Sequence, residues 1–253
     1  VESVKGECNY GQHEIVFRYA DALTACDDHV VYKTGAKEIA AQEDMSITFM
    51  AKYDQREGNS CHIHLSLRDD NGGFVLAADD DPDGLSAVGR AFIAGQIAHM
   101  RDLSLLFAPN INSFKRFVPG SFAPTAIKWG RDNRTCALRL VGHGPSLRLE
   151  NRAPGGDVNP YLAVAAMIAA GLDGIERDLP LEPAITGNAY QVDTDRLPYS
   201  LNTALELWEA SDFVVEAFGE EVQHHYANMA RTELQAFGEA VTDWERFRGF
   251  ERL

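Results

Sequence analysis

The chain has 253 residues, 45% of them hydrophobic and 24% charged, enough to build a sizeable core as one domain or a closely joined pair. A formal net charge of −15 argues against a nucleic-acid binder and against an anionic membrane surface, both of which need a basic footprint. No run of eighteen apolar residues and no signal-like N-terminus is present, and Cys8, Cys26, Cys61 and Cys136 lack Cys-x-x-Cys spacing, which points to reduced thiols and a cytoplasmic home.

Strands dominate the front half. Residues 12–19 alternate as a strand, with Glu14 and Arg18 opposite His13, Ile15, Phe17 and Tyr19. Asp21 is placed to cap a helix running to about Ala41, and residues 46–52 and 61–68 read as a hairpin pair joined by the polar, Gly-containing stretch 53–60. Residues 69–84, rich in aspartate and glycine, form a surface loop before an apolar helix that starts at Asp83 or Ser86 and runs through Arg101. In residues 135–140, Arg139 lies opposite Cys136, Leu138 and Leu140. Asn159-Pro160 caps and opens an alanine-rich buried helix over 161–171. Residues 187–198 are irregular, and 199–247 form two or three amphipathic, glutamate-rich helices.

The chemistry follows from strand parity. In Cys61-His62-Ile63-His64-Leu65-Ser66-Leu67 both histidines and the serine share one face, and in residues 147–152 Arg148, Glu150 and Arg152 stand opposite the leucines. A sheet bearing these strands has one core face and one polar floor. His-x-His and Arg-x-Glu-x-Arg contain none of the lysine, threonine or glutamine that usually fills a wet face. Arginine beside carboxylate suits bidentate recognition of phosphate or carboxylate, and glutamate with a single histidine suits a hard cation such as magnesium or manganese.

Four separated stretches carry this chemistry: GECNYGQHE (6–14), GNSCHIHLSL (58–67), NSFKRFVPG (112–120) and SLRLENRAPGG (146–156). Together with WGRDNR at 129–134, NPYLAVAAMIAAGLDGI and the closing VTDWERFRGFERL, they resemble the catalytic domain of the glutamine synthetase superfamily over nearly the whole chain. The resemblance implies an α+β fold of the glutamine synthetase/guanido kinase-like class, a curved antiparallel sheet with a polar active face backed by helices. It also implies ATP-dependent phosphorylation of the glutamate side-chain carboxylate, followed by attack of an amine on the γ-glutamyl phosphate. By the family's motifs, Glu7 and Glu14 match ligands of one Mg2+ or Mn2+ ion, and His62 and Glu150 match ligands of a second. His64 and Ser66 match nucleotide contacts, Arg134 and Arg139 match phosphate-binding arginines, and Arg148 is a helper. Arg116 and Arg152 match arginines that hold glutamate's carboxylates, with Gly58 on the same substrate's path. The four metal-ligand side chains are expected to converge on one cleft, and the Arg116 and Arg152 guanidiniums to stand free for a carboxylate.

Two departures from the family pattern shape the expectation. In PGSFAP, Phe122 stands where ammonia-using members carry a glutamate that binds and deprotonates ammonium. An aromatic ring takes no proton but packs on an alkylamine, so the acceptor is expected to be a primary amine, such as ethanolamine or a polyamine. The second departure concerns layout. The family's N-terminal β-grasp domain and a strand with two further glutamate ligands precede the position of Val1, so residues 1–253 are expected to be an incomplete catalytic domain, inactive and weak in metal binding alone. Partners implied are glutamate, ATP, an amine and copies of the same chain in a ring. Glutamine synthesis from ammonia, a guanidino phosphotransferase and a non-catalytic relative are the competing readings.

Overall fold

A computed structural model describes residues 1–252. A hairpin opens the chain: β1 (Ser3–Gly6) pairs antiparallel with β2 (His13–Val16), placing Lys5 opposite Glu14. The second strand stops at Val16, so Arg18 and Tyr19 are exposed beyond it and do not continue the alternation. Helix α1 (Ala22–Gln42) begins as expected, with the Asp21 carboxylate accepting from the Thr24 N–H and satisfying one of the helix's orphan donors.

The expected hairpin of 46–52 with 61–68 does not form. Residues 46–52 hold no strand, and the second segment contributes only β3 (Ile63–Leu65), which pairs antiparallel with β6 (Arg148–Asn151). Side-chain amides meet the backbone needs of 46–52 that a ladder would have met: Asn112 Oδ1 accepts from the Lys52 N–H at 2.8 Å, and Asn59 Nδ2 donates to the Met50 carbonyl at 2.8 Å.

Helix α2 (Ala87–His99) is capped by Ser86, whose hydroxyl accepts from the Gly89 N–H. A short helix α3 (Ser104–Phe107) follows. Strands β4 (Ala126–Arg131) and β5 (Cys136–Val141) complete a four-stranded sheet in the order β3-β6-β5-β4. Its first three strands are antiparallel, whereas β4 runs parallel to β5, so the expected antiparallel sheet is mixed at that edge. Leu138, Leu140 and Leu149 are fully buried on its core face. Each such leucine contributes about 1.5–3 kcal/mol, so a one-residue register slip, which would turn Leu138 and Leu140 of β5 or Leu149 of β6 to solvent, is disfavoured.

Helix α4 (Pro160–Glu176), capped by Asn159 with Pro160 in its first turn, runs past Gly171. Four helices follow where patterning implied two or three: α5 (Leu201–Ala210), α6 (Asp212–Phe218), α7 (Glu220–Glu239) and α8 (Asp243–Gly249). Ser211 restarts the chain by capping α6 through the Val214 N–H, and Gly219, at a φ of 84°, ends it. No helix among the described residues is long and apolar enough to cross a membrane.

His99 at the end of α2 ties three helices together. Its Nε2 lies 2.6 Å from Asp173 of α4, its ring stacks on Phe213 of α6, and Nδ1 faces Asp102 at 4.0 Å. Burial lowers its pKa, but the interactions with Asp102 and Asp173 outweigh that and leave it raised. A histidine raised in the folded state adds stability that is fully present below its unfolded value of about 6.5 and is lost as pH climbs through the folded value. The stability difference between the wild type and His99→Gln, measured by denaturant unfolding, is therefore expected to be larger at pH 6 than at pH 9. A difference that does not change with pH would show that His99 is not charged in the fold.

Candidate active site

The polar floor is built by register. His64 of β3, Glu150 of β6 and Arg139 of β5 occupy one row across three strands. Glu150 is the centre of that row, with a side chain only 3% exposed. Its Oε1 accepts from Arg152 Nη1 at 2.7 Å and lies 3.2 Å from His62 Nδ1, while Oε2 accepts from Arg139 Nη1 at 2.9 Å. Arg148 donates through Nε to His64 Nδ1 at 3.3 Å. The parity argument thus holds for His62, His64, Arg139, Arg148, Glu150 and Arg152, which gather on one surface.

The electrostatics of the floor suit a cation and an anion side by side. Burial first, then the neighbouring Arg152 and Arg116 charges, push the His62 imidazole well below its ordinary pKa, so the ring is neutral at pH 7. Its Nε2 is buried and has no hydrogen-bond partner, as expected of a nitrogen that accepts a metal. His64 is also lowered, mainly by burial, although Glu150 opposes the shift.

Glu7 and Glu14 form a second, separate pair on the opening hairpin. Lys5 Nζ lies 3.3 Å from a carboxylate oxygen of each, a cation held between two carboxylates. Glu14 is raised by its burial and by a hydrogen bond with Glu7. Glu7 is lowered, because bonds from Glu14 and Lys5 outweigh its burial. Two carboxylates gathered around one cation in this way suit a divalent ion that takes the place of the Lys5 ammonium. The four residues expected to share one cleft stand as two pairs, Glu7 with Glu14 and His62 with Glu150, and among the described residues no three His, Cys, Asp or Glu side chains gather as a set that could hold a metal. The physical reason is that the pairs lie on different sheets. They are connected through residues 54–59, where Gln12 Nε2 donates to the Gly58 carbonyl at 3.0 Å and Asn9 Nδ2 to Asp54 at 2.9 Å.

The two arginines matched to glutamate binding are not free, which corrects the expectation of open guanidinium planes. Arg116, 2% exposed, donates to Ser60 Oγ at 2.9 Å and to the Ala153 carbonyl, and burial pulls its pKa down to about 10. Arg152, 4% exposed, is held by Glu150 and by the Phe122 carbonyl at 3.1 Å. A bare guanidinium at that depth would leave several donors unsatisfied, so the fold supplies acceptors from within. The Nε of each is still without a partner. Gly58 packs over Arg116: a Cβ there would sit 2.8 Å from Arg116 Cγ, so only glycine fits without displacing the arginine. Ser66 and Arg134 are exposed at the margins, beyond β3 and in the β4–β5 turn. Phe122 is 58% exposed, in a left-handed backbone with φ 62°.

Sequence reasoning missed Lys5, whose signal was the Lys-x-Glu spacing at the hairpin, and Ser60 and Asp132, which bind Arg116 and Arg139 and lie within the stretches GNSCHIHLSL and WGRDNR without being singled out there. Two concavities lie elsewhere, one beside Ala94, Ile97 and Leu181 and one beside Lys33, Lys37 and Asp157. Neither includes a floor residue, so the site is assigned on its chemistry and not on depth.

Comparison with known proteins gives the same answer. The sequence profile described as "Glutamine synthetase, catalytic domain" matches residues 1–248. The chain is 64% identical, over 100% of its length and 54% of the relative's, to the gamma-glutamylethanolamide synthetase GlnA4 of Streptomyces coelicolor. It is 42% identical, over 98% of its length and 55% of the relative's, to the glutamate–isopropylamine ligase of a Pseudomonas species. The chain thus spans about half the length of the curated relatives it matches. A solved structure described as a GmaS/ADP complex superposes with a TM-score of 0.91 at 33% identity, covering 98% of this chain and 59% of the other. The charged floor, the profile over nearly every residue and that superposition agree: the chain belongs to the glutamine synthetase catalytic domain family.

Proposed function

We propose that the protein containing this chain is an ATP-dependent ligase that joins glutamate to a small primary amine through γ-glutamyl phosphate. The observation that carries the choice of acceptor is Phe122. Its carbonyl is bonded to Arg152 at the end of the charged floor, and its ring is exposed. The ring offers an apolar, weakly cation-attracting wall where a proton-accepting carboxylate would serve ammonium. Residues 117–124, FVPGSFAP, contain no acid, so the further cationic centres of a polyamine find no partner on this loop. A short monoamine such as ethanolamine fits better, in line with the names of the two relatives.

In this reading Glu7 with Glu14, and His62 with Glu150, each contribute to holding one divalent ion, magnesium or manganese, and His64 and Ser66 contact the nucleotide. Bound metal would neutralise charge on the transferred phosphoryl oxygens. Arg139, Arg134 and Arg148 orient the phosphates, and Arg116 and Arg152 fix glutamate so that its side-chain carboxylate faces the phosphoryl group. When substrate arrives, the Glu150–Arg152 contact is exchanged for contacts to it, which keeps the guanidinium paired throughout. A ring-type homo-oligomer belongs to the same proposal, supported by apolar side chains left uncovered on α1 and α8, among them Leu23, Val31, Trp244 and Phe247. Four unpaired thiols support a cytoplasmic home.

The test is phosphate release by the full-length protein supplied with glutamate, ATP and a panel of amines. Ethanolamine or isopropylamine is expected to be the best acceptor, and ammonia as the best acceptor would overturn the reading. Phe122→Glu is expected to shift the preference toward ammonia by about tenfold or more, the scale of one pocket contact. The Arg152 contact uses a backbone carbonyl and survives the change, so a variant whose preference is unaltered would remove Phe122 from the acceptor site.

A further inference from the structure

Arg139 is held from two sides. Glu150 takes one N–H of its Nη1, and Asp132 Oδ1 accepts both from Nε, at 2.9 Å, and from Nη2. Of five guanidinium N–H groups, three are thus engaged, and one each on Nη1 and Nη2 remains. Those two nitrogens form the end of the fork that meets two phosphate oxygens at once. With its Nε edge clamped, the plane no longer turns about its own axis.

Asp132 is an unusual residue for this task on structural grounds alone. It lies in the β4–β5 turn with φ 49°, in the left-handed region, and its side chain is 73% exposed. With the Asp132 carboxylate open to solvent, its pair with the largely buried Arg139 side chain is screened and adds little to stability, and a left-handed aspartate costs some backbone energy. A parallel supports a positional role. The other arginine on Glu150, Arg152, is likewise held from outside by a left-handed non-glycine residue, through the Phe122 carbonyl. The row Asp132–Arg139–Glu150–Arg152–Phe122 is continuous, with each arginine gripped by the central carboxylate and by one outer residue.

We propose that Asp132 is a positioning residue for nucleotide phosphate: it sets the plane of Arg139 so that the free Nη1 and Nη2 donors face the phosphoryl oxygens. This rests on the ligase reading for the role of Arg139.

The test uses the full-length protein with Asp132→Asn and Asp132→Gly, both of which tolerate a left-handed backbone. Each is expected to raise the KM for ATP, and the Kd of a non-hydrolysable ATP analogue measured by calorimetry, by about tenfold, the scale of losing a group that orients a binding side chain. The KM for glutamate and the Tm should remain at wild-type values. In an Arg139→Lys background, which offers no planar fork to orient, Asp132→Asn should add little further loss. Unchanged analogue affinity in both variants would overturn the proposal, as would KM values for ATP and glutamate rising together with a lowered Tm. A wild type that binds the analogue but forms no glutamyl amide would sink the ligase reading while the Asp132 measurement still stands.

Discussion

In the full-length protein, Glu150→Gln is expected to abolish the proposed amide formation and to destabilise the unliganded state by about 3 kcal/mol, the lower end of the range for removing one partner from a buried ion pair. The carboxylate is 3% exposed and carries two arginines, one on each oxygen, with Arg152 only 4% and Arg139 only 14% exposed at their side chains. A glutamine of the same shape keeps one acceptor oxygen but turns an amide N–H2 toward one guanidinium, so a buried cation loses its counter-charge. The same change removes a charge from the proposed metal and phosphate site, where losing one preorganised electrostatic partner costs roughly 10²–10³ in rate. Urea unfolding and phosphate release measured on one preparation check both effects. A wild-type unfolding midpoint would show that the arginines are compensated elsewhere, and retained turnover would remove Glu150 from the chemistry.

Gly95→Ala should produce the second large effect, in a direction opposite to helix propensity. Alanine in place of glycine within an exposed helix gains about 1 kcal/mol. At the crossing of α2 and α4, however, a Cβ on Gly95 would lie 2.7 Å from the Gly174 nitrogen and 2.8 Å from its Cα, and a Cβ on Gly174 would meet Gly95 at 2.7 Å. The obstructing atoms are backbone, which cannot rotate aside, so the helices must separate and loosen the packing around Phe92, Ala166 and Met167. Overpacking of this kind costs about 1–3 kcal/mol, occasionally more, and against a backbone the upper end applies. The net expectation is a loss of about 2 kcal/mol, seen as a lowered Tm. A Tm at or above wild type would show that the two helices are not in direct backbone contact.

The readable parts of the fold were those governed by neighbours in sequence. Asp21, Ser86 and Asn159 announced helix starts because a cap bonds to an N–H two or three residues away. Strand parity announced the charged faces of β5 and β6 because alternation is a property of the extended backbone itself. The breaks at Ser211 and Gly219, by contrast, help to make four helices where two or three were expected, since an amphipathic pattern continues across a kink that only backbone geometry reveals.

Residue types and their alternation therefore determined which side chains would form the polar floor and which would be core: His62, His64, Arg139, Glu150 and Arg152 on one face, Leu138, Leu140 and Leu149 on the other. Only the tertiary structure decided their partners. β3 finds β6 some eighty residues later, because burying the leucine face outweighs the local closure that would have paired it with residues 46–52. Arg116 and Arg152 are buried on internal acceptors because a guanidinium enters the interior only with its donors met, and those acceptors, Ser60, Ala153 and Phe122, come from distant segments whose approach no local pattern encodes. The Glu7–Glu14 pair and the His62–Glu150 pair stand on separate sheets for the same reason: spacing in sequence specifies a face, whereas which strands join into one sheet is set by how the layers pack.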